Sequence, residues 1–184
     1  MYDIEKIYDA VSVEDAIHAL EKEPQAIVIA GGSDILIKIR EGKLAGCSLV
    51  GIREIPELKG ISIDETGTIH IGPLTTFSQI TFHPIIQKYI PVLGYAVDQV
   101  GGPQIRNIGT IGGNLCNGVT SADSASTLFV LNAMLKVTGS RGTRILPIAE
   151  YYKGPGQVDL GPAELLTEIF IEKSNYHDFG GHYI

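Results

Sequence analysis

The sequence predicts an α+β protein made of a small α/β lobe, residues 1–59, and a larger mixed lobe, residues 60–184. Three observations predict it. Before residue 60, short all-apolar runs alternate with stretches of helical spacing, the pattern of buried parallel strands and the helices that cover them. Beyond it, apolar and polar residues alternate singly, as in antiparallel strands with one wet face. Finally, 22 glycines in 184 residues are about 12% of the chain against a usual value of roughly 7%. Such an excess marks tight turns, or backbone that must approach something closely.

The elements follow in order. Ser12-Val13-Glu14-Asp15 resembles a capping box and opens a helix whose Val13, Ile17 and Leu20 share a face; it stops before Pro24. Ala26–Ala30 reads as a fully buried parallel strand. Gly31-Gly32-Ser33-Asp34 turns the chain into a second helix, with Ile35, Leu36 and Ile39 at helical spacing, and Ser48–Ile52 is a second buried strand. Ile61–Ile63 and Thr68–Ile71 flank a turn at Asp64–Gly67. Thr76 caps a short helix and Pro91–Val100 forms another. Gly101–Asp123 carries glycines at 101, 102, 109, 112, 113 and 118 and reads as a polar, turn-rich segment. Ser124–Leu131 is helical, and Gly139-Ser140-Arg141-Gly142 is a hairpin turn between strands Met134–Thr138 and Thr143–Ile148. Leu165–Ile171 is the last strand.

Composition narrows the functions. Fourteen Lys and Arg against 21 Asp and Glu leave a net charge of −7, the wrong sign for binding nucleic acid or an anionic membrane. No apolar run is long enough to span a bilayer, and Met1–Lys6 does not open a signal peptide. A cytoplasmic location follows as the expectation. Cys47 and Cys116 are far apart, so the chain holds neither a disulfide scaffold nor a four-cysteine iron–sulfur cluster. Cys116, beside Leu115, is expected to pack. Histidines 18, 70, 83, 177 and 182 form no metal motif. No G-x-S-x-G elbow is present, so no catalytic side chain is assigned.

Two glycine turns carry the remaining signal. Ala30-Gly31-Gly32-Ser33-Asp34 joins a strand to a helix, where free N–H groups and the helix dipole suit a phosphate. It is neither a Rossmann fingerprint nor a P-loop. In Thr110-Ile111-Gly112-Gly113-Asn114 the paired glycines can form a nest of amides, with Asp123 able to accept from a sugar hydroxyl. From the residues alone, loop geometry is the better account of the first turn and an equally good one of the second. Arg106 reads as a structural hydrogen bonder or a cofactor contact.

Ala30–Asp34 resembles the first flavin loop of the FAD-binding subunits of molybdenum hydroxylases. The stretch from Gly102-Pro103-Gln104-Ile105-Arg106-Asn107 through Thr110-Ile111-Gly112-Gly113-Asn114-Leu115-Cys116-Asn117-Gly118 resembles the second. With Ser121-Ala122-Asp123-Ser124-Ala125, the match is nearest the bacterial xanthine dehydrogenase branch of that family, and the nicotinate dehydrogenase branch is similar. The resemblance covers essentially the whole chain. It implies a p-cresol methylhydroxylase-type FAD-binding fold, with FAD between the two lobes. It also implies cofactor-binding roles for Ile27, Val28, Ile29, Ala30, Gly31, Gly32, Ser33 and Asp34 at the pyrophosphate. Thr110, Ile111, Gly112, Gly113 and Asn114 complete the cradle, Asp123 bonds the ribityl or ribose hydroxyls, and Val100, Gly101 and Leu166 line the flavin. The implied partners are a molybdopterin-binding subunit and a 2Fe–2S subunit, with NAD as electron acceptor.

Two features depart from the family pattern. Thr120-Ser121-Ala122-Asp123 stands where the family commonly has Pro. The sequence ends at Ile184, near Gly180-Gly181-His182-Tyr183, where the family continues into a C-terminal domain expected to be missing here. Weak hold on FAD and an exposed apolar patch are the expected results. A stand-alone flavin oxidoreductase and a degenerate nucleotide-binding or assembly module are the competing readings.

Overall fold

A computed structural model describes residues 2–119, 121–178 and 180–181. Thr120 of the departing motif, and His182, Tyr183 and Ile184, lie outside the described residues. The first third of the chain forms a parallel sheet of three strands in the order β1 (Ile4–Asp9), β3 (Cys47–Gly51), β2 (Ile27–Ile29). Helix α1 (Val13–Lys22) begins where expected, because Ser12 Oγ accepts the Asp15 N–H at 3.1 Å. It buries Ala16, Ile17 and Leu20. Helix α2 (Ile35–Arg40) follows the first glycine turn.

The strand expected to be fully buried is not. β2 lies at the sheet edge and is half-buried along its whole length, whereas β3 is the central, buried strand. An edge strand has a neighbour on one side only, so the apolar run Ile27–Ala30 leaves a partly uncovered strip. β1 carries no sequence signal: five of its six residues are exposed.

The rest of the chain builds a five-stranded antiparallel sheet. Its order is β4 (Ile61–Ile63), β5 (Ile69–Ile71), β10 (Glu164–Ile171), β6 (Met134–Gly139), β7 (Gly142–Pro147). Between β5 and β6 run six helices: α3 (Phe77–Phe82), α4 (Pro84–Tyr89), α5 (Pro91–Asp98), α6 (Pro103–Ile108), α7 (Ile111–Cys116) and α8 (Asp123–Val130). A short helix α9 (Ile148–Tyr151) and the ribbon β8 (Tyr152–Gly154), β9 (Gln157–Val158) precede β10. The helices cover one face of the sheet: Ile69, Ile71, Leu135, Val137 and Ile169 meet Ile80, Leu93, Val97, Leu115 and Leu128 in one core. The opposite face is polar, with Glu168 bonded to His70 at 2.8 Å and to Lys136 at 3.3 Å. Among the described residues, no helix is long and apolar enough to cross a membrane.

A second core lies under α1. It joins Ala16, Ile17, Leu20 and Val50 to Leu74 and Leu165, which the larger lobe supplies. A register shift between Leu166 and Glu168 accompanies this division on β10: Leu165 packs in the small core and Leu166 in the large one.

Arg144 of β7 pins the start of β10. Its Nε and Nη2 donate to the two oxygens of Glu164 at 3.1 and 2.8 Å, and its Nη1 donates to Asp159 at 3.0 Å. Arg144 holds the Glu164 carboxyl below its usual range, and the Gly161 N–H adds to the effect. A carboxyl lowered on folding contributes stability above its unfolded pKa and loses it as pH falls through the folded value. Glu164→Gln is expected to lower stability at pH 7 by roughly 1–2 kcal/mol, discounted because Arg144 is partly exposed. The gap should begin to narrow as pH falls below about 4.3, the ordinary glutamate value, and close below the lowered folded one. Urea denaturation of both proteins at neutral and acid pH measures it.

Candidate functional site

β2 delivers the chain into the turn Ala30–Asp34. Gly32 sits at φ +75°, a left-handed conformation that glycine adopts without strain. The turn's carbonyls build the next helix: Gly32 O accepts from Leu36 N–H and Asp34 O from Lys38 N–H, both at 3.1 Å. Its amides are another matter. Ala30, Gly31 and Ser33, all half-buried, make no hydrogen bond to any described residue. Asp34 occupies the N-cap position of α2 without a side-chain bond. Half-buried as they are, these N–H groups are left to water or to an acceptor from outside the fold.

The second segment differs from the open turn expected. It is two short helices, α6 and α7, meeting at Gly109-Thr110. Gly112 and Gly113 take helical angles in the first turn of α7. Their amides are already bonded: Ile111 N–H to Thr75 O at 3.1 Å, Gly112 N–H to Pro73 O at 2.9 Å and Gly113 N–H to Thr110 Oγ1 at 3.2 Å. Gly112-Gly113 therefore does not form a nest of free amides. Each glycine has its own reason. A Cβ on Gly112 would overlap the Pro73 ring and stand 2.8 Å from its carbonyl oxygen. Gly113 is exposed, and a Cβ there would meet only Thr110 Oγ1, at 2.9 Å. The fold explains Gly112, but it leaves the space beside Gly113 open. Asn114 Oδ1 accepts from Ser124 Oγ at 2.6 Å, which ties α7 to the start of α8, where Asp123 is half-buried at the first helical position.

The two segments meet. A Cβ on Gly31 would overlap the Ile108 carbonyl oxygen and lie 2.7 Å from its carbon, so the backbones touch here. Farther along, Lys38 Nζ donates to Asn117 Oδ1 at 3.0 Å. These contacts bring the Ala30–Asp34 turn against the last residue of α6 and tie the last turn of α2 to the end of α7 through one side chain. Gly31 thus lies against the end of α6, two residues before the α7 cap Thr110, and Asn114 is tied to Ser124, the neighbour of Asp123.

The remaining site candidates lie apart. Val100 and Gly101 form the bend before α6, with Gly101 at φ +50°. Arg106 buckles that bend, donating to Gly101 O at 2.8 Å and Val100 O at 3.3 Å and pairing with Asp98 at 3.1 Å. Its structural reading holds. Leu166 is buried in the large core, whereas its neighbour Leu165 shares a core with Val28 and Ala30. Cys116 packs as expected: it lies 3.1 Å from the Tyr151 hydroxyl, and burial pushes its thiol up to about 11. Lys38, Pro73 and Ile108, which set the spacing of the site, were not singled out in the sequence. Each acts on a partner at least 39 positions away, as Pro73 does on Gly112, so no local pattern marks them.

A half-buried strip of Ile, Val and Ala beside unpaired amides, with open space next to Gly113, fits a ligand that is apolar in one part and phosphorylated in another. On a parallel three-stranded sheet joined to an antiparallel five-stranded one, these features define a flavin-binding domain of the p-cresol methylhydroxylase type. The chain belongs to the family described as the FAD binding domain in molybdopterin dehydrogenase, whose model matches residues 2–173. FAD is its cofactor. The chain is 41% identical over 184 residues to the xanthine dehydrogenase FAD-binding subunit of Escherichia coli, covering all of this chain and 63% of that one. It is 37% identical over 170 residues to the nicotinate dehydrogenase FAD-subunit of Eubacterium barkeri, covering 91% of this chain and 57% of the relative. Among solved structures, carbon monoxide dehydrogenase of Hydrogenophaga pseudoflava superposes with a TM-score of 0.90 at 28% identity, over 94% of this chain and 60% of that one. The chain thus spans less than two thirds of the length of these relatives.

Proposed function

We propose that this chain is the FAD-binding portion of an electron-transfer subunit in a molybdenum hydroxylase of the xanthine dehydrogenase type. The observation that carries the reading is the convergence of the unpaired Ala30–Ser33 amides with the 108–114 segment. The amides of Ala30, Gly31 and Ser33 hold the pyrophosphate, and Thr110, Gly113 and Asn114 close the cradle from the other side. Ile27–Ile29 give the apolar strip, Asp123 accepts from a ribityl or ribose hydroxyl, and Val100 and Gly101 border the flavin, whereas Leu166, buried in the large core, does not reach it. In this reading, residues 1–59 and 60–184 are the two lobes that hold the cofactor.

When bound, FAD supplies the exchange between one-electron and two-electron transfer. The protein binds and orients it, and no side chain is assigned a covalent or proton-transfer role. The substrate is oxidised on a molybdopterin-binding partner, a 2Fe–2S partner carries the electrons here, and NAD is the acceptor. The xanthine type is preferred over the nicotinate type because that likeness extends over the whole chain at higher identity.

A visible spectrum of the purified protein, with the extracted cofactor identified by mass, tests the reading. Flavin bands and a mass matching FAD are expected. Failure to take up FAD on incubation would overturn it, and flavin bleaching by a substrate without partner subunits would favour a stand-alone oxidoreductase. Asp123→Asn retains one acceptor oxygen and is expected to weaken FAD by roughly 1–3 kcal/mol at most. Lost electron transfer at unchanged FAD affinity would contradict the role given to Asp123.

A further inference from the structure

We infer that Lys38 and Asn117 form a latch that sets the distance between the two halves of the FAD cradle, a role that rests on the reading above. Lys38 lies in the last turn of α2, and its ammonium donates to Asn117 Oδ1 at 3.0 Å across 79 positions of sequence. Asn117 caps the far end of α7, where its own N–H bonds Gly113 O at 3.1 Å. The same residue that receives the lysine therefore holds the carbonyl of the glycine facing open space.

Ahead of α2 and α7, Gly31 meets the Ile108 carbonyl at the end of α6, a contact of backbone on backbone. One contact fixes a point; two fix a direction. With the Lys38–Asn117 bond in place, the Ala30–Ser33 amides and the Gly113 surface keep their separation before any ligand arrives. Preorganisation of this kind strengthens binding by reducing what must be ordered at the moment of association. Both partners are half-buried, which protects the charge-assisted bond from competing water. Lys38 is thus a positioning residue that acts through Asn117.

The test is titration of FAD, followed by flavin fluorescence, into the intact protein and its variants, with riboflavin as a probe that lacks phosphate. Lys38→Met and Asn117→Leu are each expected to weaken FAD about tenfold, the scale of one charge-assisted bond. The double variant should lose no more than either single one, because both remove the same contact. Lys38→Arg and Asn117→Asp keep a donor and an acceptor and should retain parental affinity. They also carry the comparison if Lys38→Met folds poorly. Parental FAD affinity in Lys38→Met, or losses that multiply in the double variant, would overturn the latch. An equal loss for riboflavin would also overturn it, since that indicates general loosening of the site. A parent that takes up no FAD would instead overturn the functional reading, and the latch with it.

Discussion

Gly31→Ala is expected to part the two halves of the site and to lower stability by about 3 kcal/mol, the upper range for overpacking. The added methyl would overlap the Ile108 carbonyl oxygen and reach 2.7 Å from the carbonyl carbon. Both are backbone atoms, so no rotamer change can make room. Gly109, next in line, is itself held by Phe77 N–H at 3.1 Å and leads into the capped start of α7. The strain must therefore be taken up by moving the Ala30–Asp34 turn away from α6 and α7. Urea denaturation measures the stability, and FAD titration the site. A variant with parental stability and FAD affinity would show that the backbones need not touch.

Gly113→Val is expected to abolish FAD binding while leaving the fold nearly intact. This separates it from the Gly31 variant. Residue 113 is helical and exposed, so a valine meets no strained angle and little protein. The one close neighbour is Thr110 Oγ1, at 2.9 Å from the new Cβ. Disturbing that cap costs about 1 kcal/mol. The branched side chain would, however, fill the open space beside Gly113, where the proposed pyrophosphate site lies. Circular dichroism should be unchanged and FAD uptake lost. Tight FAD binding by a normally folded Gly113→Val would remove residues 110–114 from the cradle.

The sequence was most legible where short-range chemistry decides the structure. Ser12 caps α1 as read, Thr76 opens α3 with a complete capping box to Gln79, and Gly139 pairs with Gly142 across the hairpin. It was least legible where distant partners decide. β1 (IEKIYD) follows no period of two and lies on an exposed edge, and its parallel pairing with β3, some forty positions on, makes it a strand. α6 and α7 have too few residues, and α7 too many glycines, to be helices by propensity. Pro103, the Thr110 cap and the carbonyls of Pro73 and Thr75 hold them in place. The same cause hid half of the site. Both glycine pairs could be located from sequence, yet the Gly31 amide has no described partner while those of Gly112 and Gly113 are bonded within the protein. For Gly112 the distant carbonyl of Pro73 decides that.

The small core under α1 is completed by Leu74 and Leu165, which belong to the other lobe. The three-stranded and five-stranded sheets therefore share a core and are expected to unfold together. Melting the five-stranded sheet withdraws Leu165 from beneath α1, and melting α1 uncovers Leu165 in turn. A calorimetric scan should accordingly show one transition, with equal calorimetric and van't Hoff enthalpies, and not two steps. A fragment cut after residue 59 would keep three strands and two helices but lose two walls of its own core, and it should not hold a fold alone.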